Sequence, residues 1–282
     1  MAGLVVAAGL LGVGVGAFLN VCAFRVPRNC LSVFRVRFRC RRCPAPLPIW
    51  SYIPLVGRRL LGGACPSCRA PFGLRDDVLE LLTGLLFALA ALRITYPATE
   101  PLKMSREGVL FAVHAWFIAV LVLSSAINLE FGILPDELTV AGIVQILLLS
   151  AAFPFLQGGV SLRTDLLWVR GLLAAAAGVL VGGGCAYAMG LLGRFVYKCE
   201  AVGLGVVKFM AMIGGVLGAS SAASCFVLAM GLLCLYGFAL RAARGAVGYV
   251  QMGPSLSMAA CLLLFFPSLP SDLLSRAIAA LR

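Results

Sequence analysis

The sequence predicts an all-α polytopic membrane protein of about eight transmembrane helices, with a small cytoplasmic four-cysteine zinc module between helices 1 and 2. Three observations carry that expectation. The 282 residues are 62% hydrophobic and only 12% charged, about half the charged fraction of a soluble domain. Apolar runs near the length of a bilayer crossing recur from end to end. The one long polar interruption is basic and holds two tight cysteine pairs.

The first run, Ala2 to Phe24, is rich in glycine (Gly9, Gly12, Gly14, Gly16), which permits close helix packing. It lacks the basic start and small-residue cleavage site of a secretion signal, and positive charge follows it. It reads as a retained span with its N-terminus outside. Asn20, near its inner end, is expected to bond to another helix or a loop. Pro27 and the arginines mark the exit.

Residues 25–76 form the next region. Eleven of the arginines lie between Arg25 and Arg75, against only three lysines in the whole chain. Cationic charge beside a span is what the positive-inside rule predicts for a cytoplasmic loop. The net charge of +12 therefore points to a membrane surface, and no nucleic-acid partner is expected. The region holds Cys40-Arg-Arg-Cys43 and Cys65-Pro-Ser-Cys68. It has too few apolar residues for a core of its own and needs a staple. Two such knuckles fit a closed, structural four-thiolate zinc site formed by Cys40, Cys43, Cys65 and Cys68. Two disulfides, or a site that has lost its metal, are the competing readings. Most other cysteines lie in apolar runs, as small hydrophobes.

The later spans read as Val78–Tyr96, Gly108–Ile127, Leu138–Leu156, Leu166–Leu192, Leu204–Gly218, Ala222–Leu240 and Met252–Leu269. The shortest, Leu204–Gly218, is read as tilted or partly re-entrant. Alternation from a cytoplasmic 25–76 puts the loops at 128–137, 193–203 and 241–251 on the same side. The chain thus divides into a first span (1–24), a CxxC…CxxC module (25–76) and a helical membrane domain (77–275). His114, alone of its kind and mid-span, is read as packing or as a helix–helix bond.

One late stretch looks built for chemistry: Glu200-Ala-Val-Gly203-Leu-Gly205-Val206-Val-Lys208. Two glycines allow a tight turn and a close approach. A lysine then stands on the first turn of a membrane helix, where an ionisable group is a functional candidate. Yet the stretch holds no side chain suited to catalysis next to those glycines.

Together with Phe18-Leu-Asn20, the cysteine pairs, Ile53-Pro54-Leu55, Leu79-Glu80-Leu-Leu-Thr83-Gly84 and Asn128-Leu-Glu130 through Pro135-Asp136, this stretch resembles the bacterial type IV prepilin peptidases, which are Gly-x-Gly-Asp membrane aspartic proteases. The resemblance runs in order from the first span to about Gly218. It implies cleavage of leader peptides from type IV pilin or type II secretion pseudopilin precursors at the cytoplasmic face of the bacterial inner membrane. It also implies N-methylation with S-adenosylmethionine, associated with the cytoplasmic module. The family cuts with two aspartates, one activating water while the other, protonated, polarises the carbonyl. In this sequence the first aspartate position is Asn128 and the second is Val206, while Gly203, Gly205 and Lys208 keep their places. The sequence therefore predicts a family member without proteolysis, a pseudoenzyme. A displaced pair, Asp136 with Glu200, is the alternative route to activity, and an unrelated transporter or scaffold is the third reading. Asp136 is otherwise expected to cap its helix, and Glu200 to pair with Lys198 or Lys208. Two further departures, Ser51-Tyr52 before Ile53-Pro54 and Arg75-Asp76-Asp77 where the family shows Arg-Tyr-Pro, bear on methylation.

Overall fold

A computed structural model of the chain describes residues 2–28, 40, 42–43, 45–95, 101–157, 166–198, 202–245 and 250–268. Among them are nine α-helices: α1 (Ala2–Arg25), the single turn α2 (Gly57–Leu60), α3 (Leu74–Thr95), α4 (Pro101–Phe131), α5 (Asp136–Ala152), α6 (Leu167–Tyr197), α7 (Leu204–Leu217), α8 (Ala219–Arg244) and α9 (Gly253–Phe265). No strand occurs among the described residues, only an isolated bridge between Ala64 and Pro71. Among the described residues four helices are long and apolar enough to cross a membrane: Ala2–Arg28, Arg106–Phe131, Leu167–Val196 and Ala219–Ala243. The protein is an integral membrane protein built of helices.

The chain forms two compact units, Met1–Leu123 and Ser124–Arg282, and α4 runs through the boundary. In the first unit α1 lies against α3. Their contact is close because one partner at each crossing is glycine. A Cβ at Gly12 would meet the Phe87 side chain and the Thr83 carbonyl at 2.8 Å, and one at Gly16 would meet the Glu80 Cα at 2.7 Å. Glu80 is buried at this contact, 2% exposed. A buried carboxylate is costly unless every lone pair finds a donor, and this one is well supplied. Asn20 Nδ2 donates to Glu80 Oε1 (3.1 Å) and to the Asp76 carbonyl (3.0 Å). The Leu55 N–H donates to Glu80 Oε2 (2.8 Å) and the Arg58 guanidinium to Oε1 (2.9 Å). Arg58 also bonds Asp77 (3.0 Å) and pairs with Asp76 (3.5 Å). The expectation for Asn20 is met by α3. Asp76 and Asp77 thus extend the same ion cluster.

In the second unit α7 is the central helix. Val206, Phe209 and every residue from Met210 to Gly215 are buried. At 14 residues it spans about 21 Å, short of a roughly 30 Å hydrocarbon core. Its neighbour α6 approaches through glycines. A Cβ at Gly178 would strike the Gly214 carbonyl, and one at Gly214 the Gly178 carbonyl. Helices without a hydrophobic force between them in lipid rely on such contact. The ends of α5 and α6 differ from the sequence boundaries for local reasons. Beyond Ala152, Pro154–Gln157 winds as a 3₁₀ turn, and α6 continues to Tyr197, where Lys198 closes it in a left-handed conformation (φ 53°).

Two outcomes are expected. Gly214→Val destabilises the protein by about 1–3 kcal/mol, the usual cost of overpacking, whereas Gly231→Val, a site with open space around it, does not; thermal unfolding in detergent compares them. Arg58→Ala strands the Glu80 charge and destabilises by about 3–5 kcal/mol, and Arg58→Ala/Glu80→Gln recovers part of the loss.

Candidate functional site

Two places merit chemical attention, one in each unit. In the first, four thiols converge. The sulfurs of Cys40, Cys43, Cys65 and Cys68 all lie within 4.8 Å of one another. Cys40 Sγ is 3.7 Å from Cys68 Sγ, and Cys43 Sγ is 3.8 Å from Cys65 Sγ. A tetrahedral centre with metal–sulfur bonds of about 2.3 Å requires sulfur–sulfur edges of about 3.8 Å. A disulfide requires about 2.05 Å, and all four cysteines are free. The two-disulfide reading is therefore set aside: each short approach joins one knuckle to the other without a bond.

Local backbone geometry builds the knuckles. The Cys40 N–H donates to the Ala45 carbonyl and the Cys65 N–H to the Ala70 carbonyl, while the Arg42 N–H points at Cys40 Sγ (3.4 Å). Gly62, Gly63 and Arg69 take positive φ to close the second loop. Proton affinities are split across the cluster. The Ala45 backbone acts most strongly on Cys43 and lowers it, but desolvation and the thiols of Cys68, Cys65 and Cys40 outweigh it and push Cys43 up to about 12. Backbone hydrogen bonding from Cys68, then Ser67, helps hold Cys65 down to about 6. Four thiolates this close need a cation to coexist. The donor set and spacing fit a bound metal ion.

The second place lies in the second unit, around the four-residue loop 132–135. Asn128, on the last turns of α4, is buried. Its Oδ1 accepts the Gly253 N–H at 3.0 Å, and its Nδ2 reaches toward the Ile133 carbonyl at 3.5 Å. Gly253 opens α9, whose own N-cap residue, Met252, supplies no side-chain bond. Asn128 therefore caps α9 from another helix. A Cβ at Gly253 would collide with the Asn128 amide at 2.6 Å, so the contact needs glycine.

Val206 stands in the first turn of α7 and is buried. Gly203 is the N-cap of α7, and Gly205 packs on Leu134, to which its Cβ would come within 3.3 Å. Asn128 and Gly205 thus touch adjacent residues, Ile133 and Leu134, of one loop. Lys208 Nζ binds Asp136 Oδ2 at 2.7 Å. The pair joins the first turn of α5 to α7, with side chains 37% and 62% exposed. Asp136 is not the cap of α5, which is Pro135; it is the first residue inside, where the helix dipole still favours its charge. Glu200 lies outside the described residues, and Lys208 takes Asp136 as its partner. His114 Nδ1 lies 2.7 Å from the Leu110 carbonyl of its own helix.

Sequence reasoning missed two participants. Gly253 was foreshadowed only by Gly253-Pro254, a helix-start signal that does not say which side chain caps it. Arg58 was one arginine among eleven, and its selection depends on the buried Glu80.

Comparisons with known proteins now weigh on the whole chain. Residues 10–94 match the family model for the Bacterial Peptidase A24 N-terminal domain. A type 4 prepilin-like proteins leader peptide-processing enzyme of Escherichia coli O78:H11 is 28% identical over 264 residues, covering 88% of each chain. A prepilin leader peptidase/N-methyltransferase of Myxococcus xanthus is 34% identical over 210 residues, 74% of this chain. The chain belongs to the prepilin peptidase family. It spans 54% of the Myxococcus relative's length. A Neisseria gonorrhoeae prepilin leader peptidase/N-methyltransferase is 24% identical over 274 residues, 89% of this chain and 86% of that one. No solved structure matches the chain. Family membership removes the reading of an unrelated transporter or scaffold. In this prepilin peptidase family member, Asn128 is an amide engaged in capping and Val206 a buried hydrocarbon.

For the cysteine centre, Cys40→Ser is expected to abolish stoichiometric metal binding, read by elemental analysis of the purified protein. Binding must displace the Cys43 proton, so affinity rises with pH; chelator competition at pH 6 and pH 8 measures it.

Proposed function

We propose that the protein is a prepilin peptidase homologue that engages leader peptides of type IV pilin or pseudopilin precursors without cutting them. It would do so from the bacterial inner membrane, with the cysteine module on the cytoplasmic side and zinc as the structural ion. The observation that carries this reading is the state of the two dyad positions. Val206 offers no oxygen, and the Asn128 amide oxygen is taken by the Gly253 N–H at 3.0 Å. An amide cannot serve as the base that activates water, and aspartic chemistry needs two carboxyls that share a proton.

The displaced-acid alternative is disfavoured by geometry. Asp136 is exposed and neutralised by Lys208 at 2.7 Å, whereas a working acid–base pair needs rigid placement and split proton affinities. Zinc is supported by four thiolates at tetrahedral spacing, and such a site would staple the module rather than react.

S-adenosylmethionine would be the methyl donor if methylation persists, as the relatives' printed name suggests. Two cavities among the described residues do not fit it. One, of about 360 Å³, is lined by Pro154, Phe155, Gln157, Leu167, Arg170, Gly171 and Ala174. The other, of about 180 Å³, includes Tyr187, Arg194 and Leu204. Neither includes an acidic side chain to bind ribose hydroxyls. No methyl-transfer step is assigned.

The test is cleavage of a pilin precursor by the purified protein in lipid. The wild type is expected to leave the leader attached, and cutting at the leader junction would overturn the proposal. Asn128→Asp/Val206→Asp is expected to gain cleavage, while each single reversion stays inactive.

A further inference from the structure

The segment from Pro48 to Leu60 in the first unit is built inside out for a soluble surface. Its polar groups turn toward α3. The Leu55 N–H and the Arg58 guanidinium both bind Glu80, and Arg58 reaches Asp77 as well. Ser51 Oγ is consumed by the Pro48 carbonyl at 2.7 Å. The segment is also rigid. Gly57 is buried against the turn Ile49–Tyr52, where a Cβ would strike the Trp50 and Ser51 carbonyls. Leu55 takes a left-handed conformation (φ 63°) so that its N–H meets Glu80. The outward side is apolar. Trp50 is 58% exposed and Leu60 64%, and Ile53 and Val56 are about half exposed. The exposed arginines Arg42, Arg59 and Arg69 belong to the same module.

The depth of this segment is set by α3. Asp77 and Glu80, to which it is tied, lie in the first two turns of that helix. At the same level Leu74, Val78 and Leu81 are exposed, where the apolar flank of α3 begins. The segment 48–60 is therefore tied at the level where the exposed apolar flank of α3 starts. Tryptophan with aliphatic neighbours and arginine is the composition of a headgroup-level anchor.

We propose that Trp50, Ile53, Val56 and Leu60 dock into the membrane interface, with Arg42, Arg59 and Arg69 recruiting anionic phospholipid. The metal module would then lie flat on the bilayer, held by Glu80 from within and by lipid from without. The occupant is the membrane and not a protein, because the patch is tied to the first turns of α3, which also expose Leu74, Val78 and Leu81, and its charge complements an anionic leaflet. This inference rests on the cytoplasmic placement proposed above.

The experiment uses the full chain with Trp116→Phe and Trp168→Phe, leaving Trp50 as the only tryptophan, in nanodiscs carrying lipids brominated near the headgroup end of the acyl chain. A tryptophan at headgroup level sits close to the bromines, and roughly half of its emission is expected to be lost when phosphatidylglycerol is present. Arg59→Gln/Arg69→Gln is expected to weaken that loss, with bound metal per chain confirming an intact module. Hydrogen exchange of residues 48–60 in the unsubstituted protein gives a second readout, with greater protection in anionic than in zwitterionic nanodiscs. Emission unaffected by brominated lipid, or equal quenching and exchange in both lipids, overturns the proposal. Topology is scored separately. After chelation, an impermeant maleimide labels the module cysteines in inverted vesicles and not in spheroplasts; the reverse result sinks the cytoplasmic placement itself.

Discussion

Gly178 and Gly214 meet backbone against backbone, and the second unit depends on that meeting. With a side chain at either place, α7 would move outward from α6. The contact matters because α7 is short and almost wholly buried. Too short to span on its own, it is held by protein on its sides, and its first turn is thereby set against loop 132–135. Gly205 on Leu134 and Lys208 on Asp136 follow from this placement. So does the burial of Val206.

The first unit answers the same solvent constraint with charge. Polar groups inside a helical membrane protein must find protein partners. Glu80 finds three side-chain or backbone donors from three segments: α1, the turn at Leu55 and α2. Such a cluster contributes little net stability compared with a hydrophobic replacement, but it is strict about geometry. It ties the segment 55–58 of the cysteine module to α1 and α3. Asn128 obeys the same rule in the second unit: a polar side chain in a buried place has taken the nearest free helix end, that of α9.

Much of this was legible in the chain. The helical class follows from apolar runs, and the four-cysteine cluster from two Cys-x-x-Cys pairs, because local spacing alone determines whether each pair can chelate. Gly203-x-Gly205 and Lys208 identified the start of α7. Other features were not legible, for reasons particular to them. The apolar runs marked Leu204–Gly218 as the shortest span, but not that α9 is as short as α7, each about half the length of α6, since hydropathy does not distinguish burial in protein from burial in lipid. Asp136 carried the composition of a helix cap, but Lys208, 72 positions later, became its partner.

What the sequence determined by itself was the class of the fold, the four thiols, and an amide and a hydrocarbon at positions 128 and 206. These are properties of residue identity and near spacing, and no packing could supply an oxygen to Val206. Only the tertiary structure decided what the remaining groups do. It selected Arg58 from the arginines, turned Asn128 into the cap of α9 and directed the apolar side of 48–60 outward. Each of these outcomes depends on a partner distant in sequence, brought within about 3 Å by helix packing, the distance at which a hydrogen bond forms.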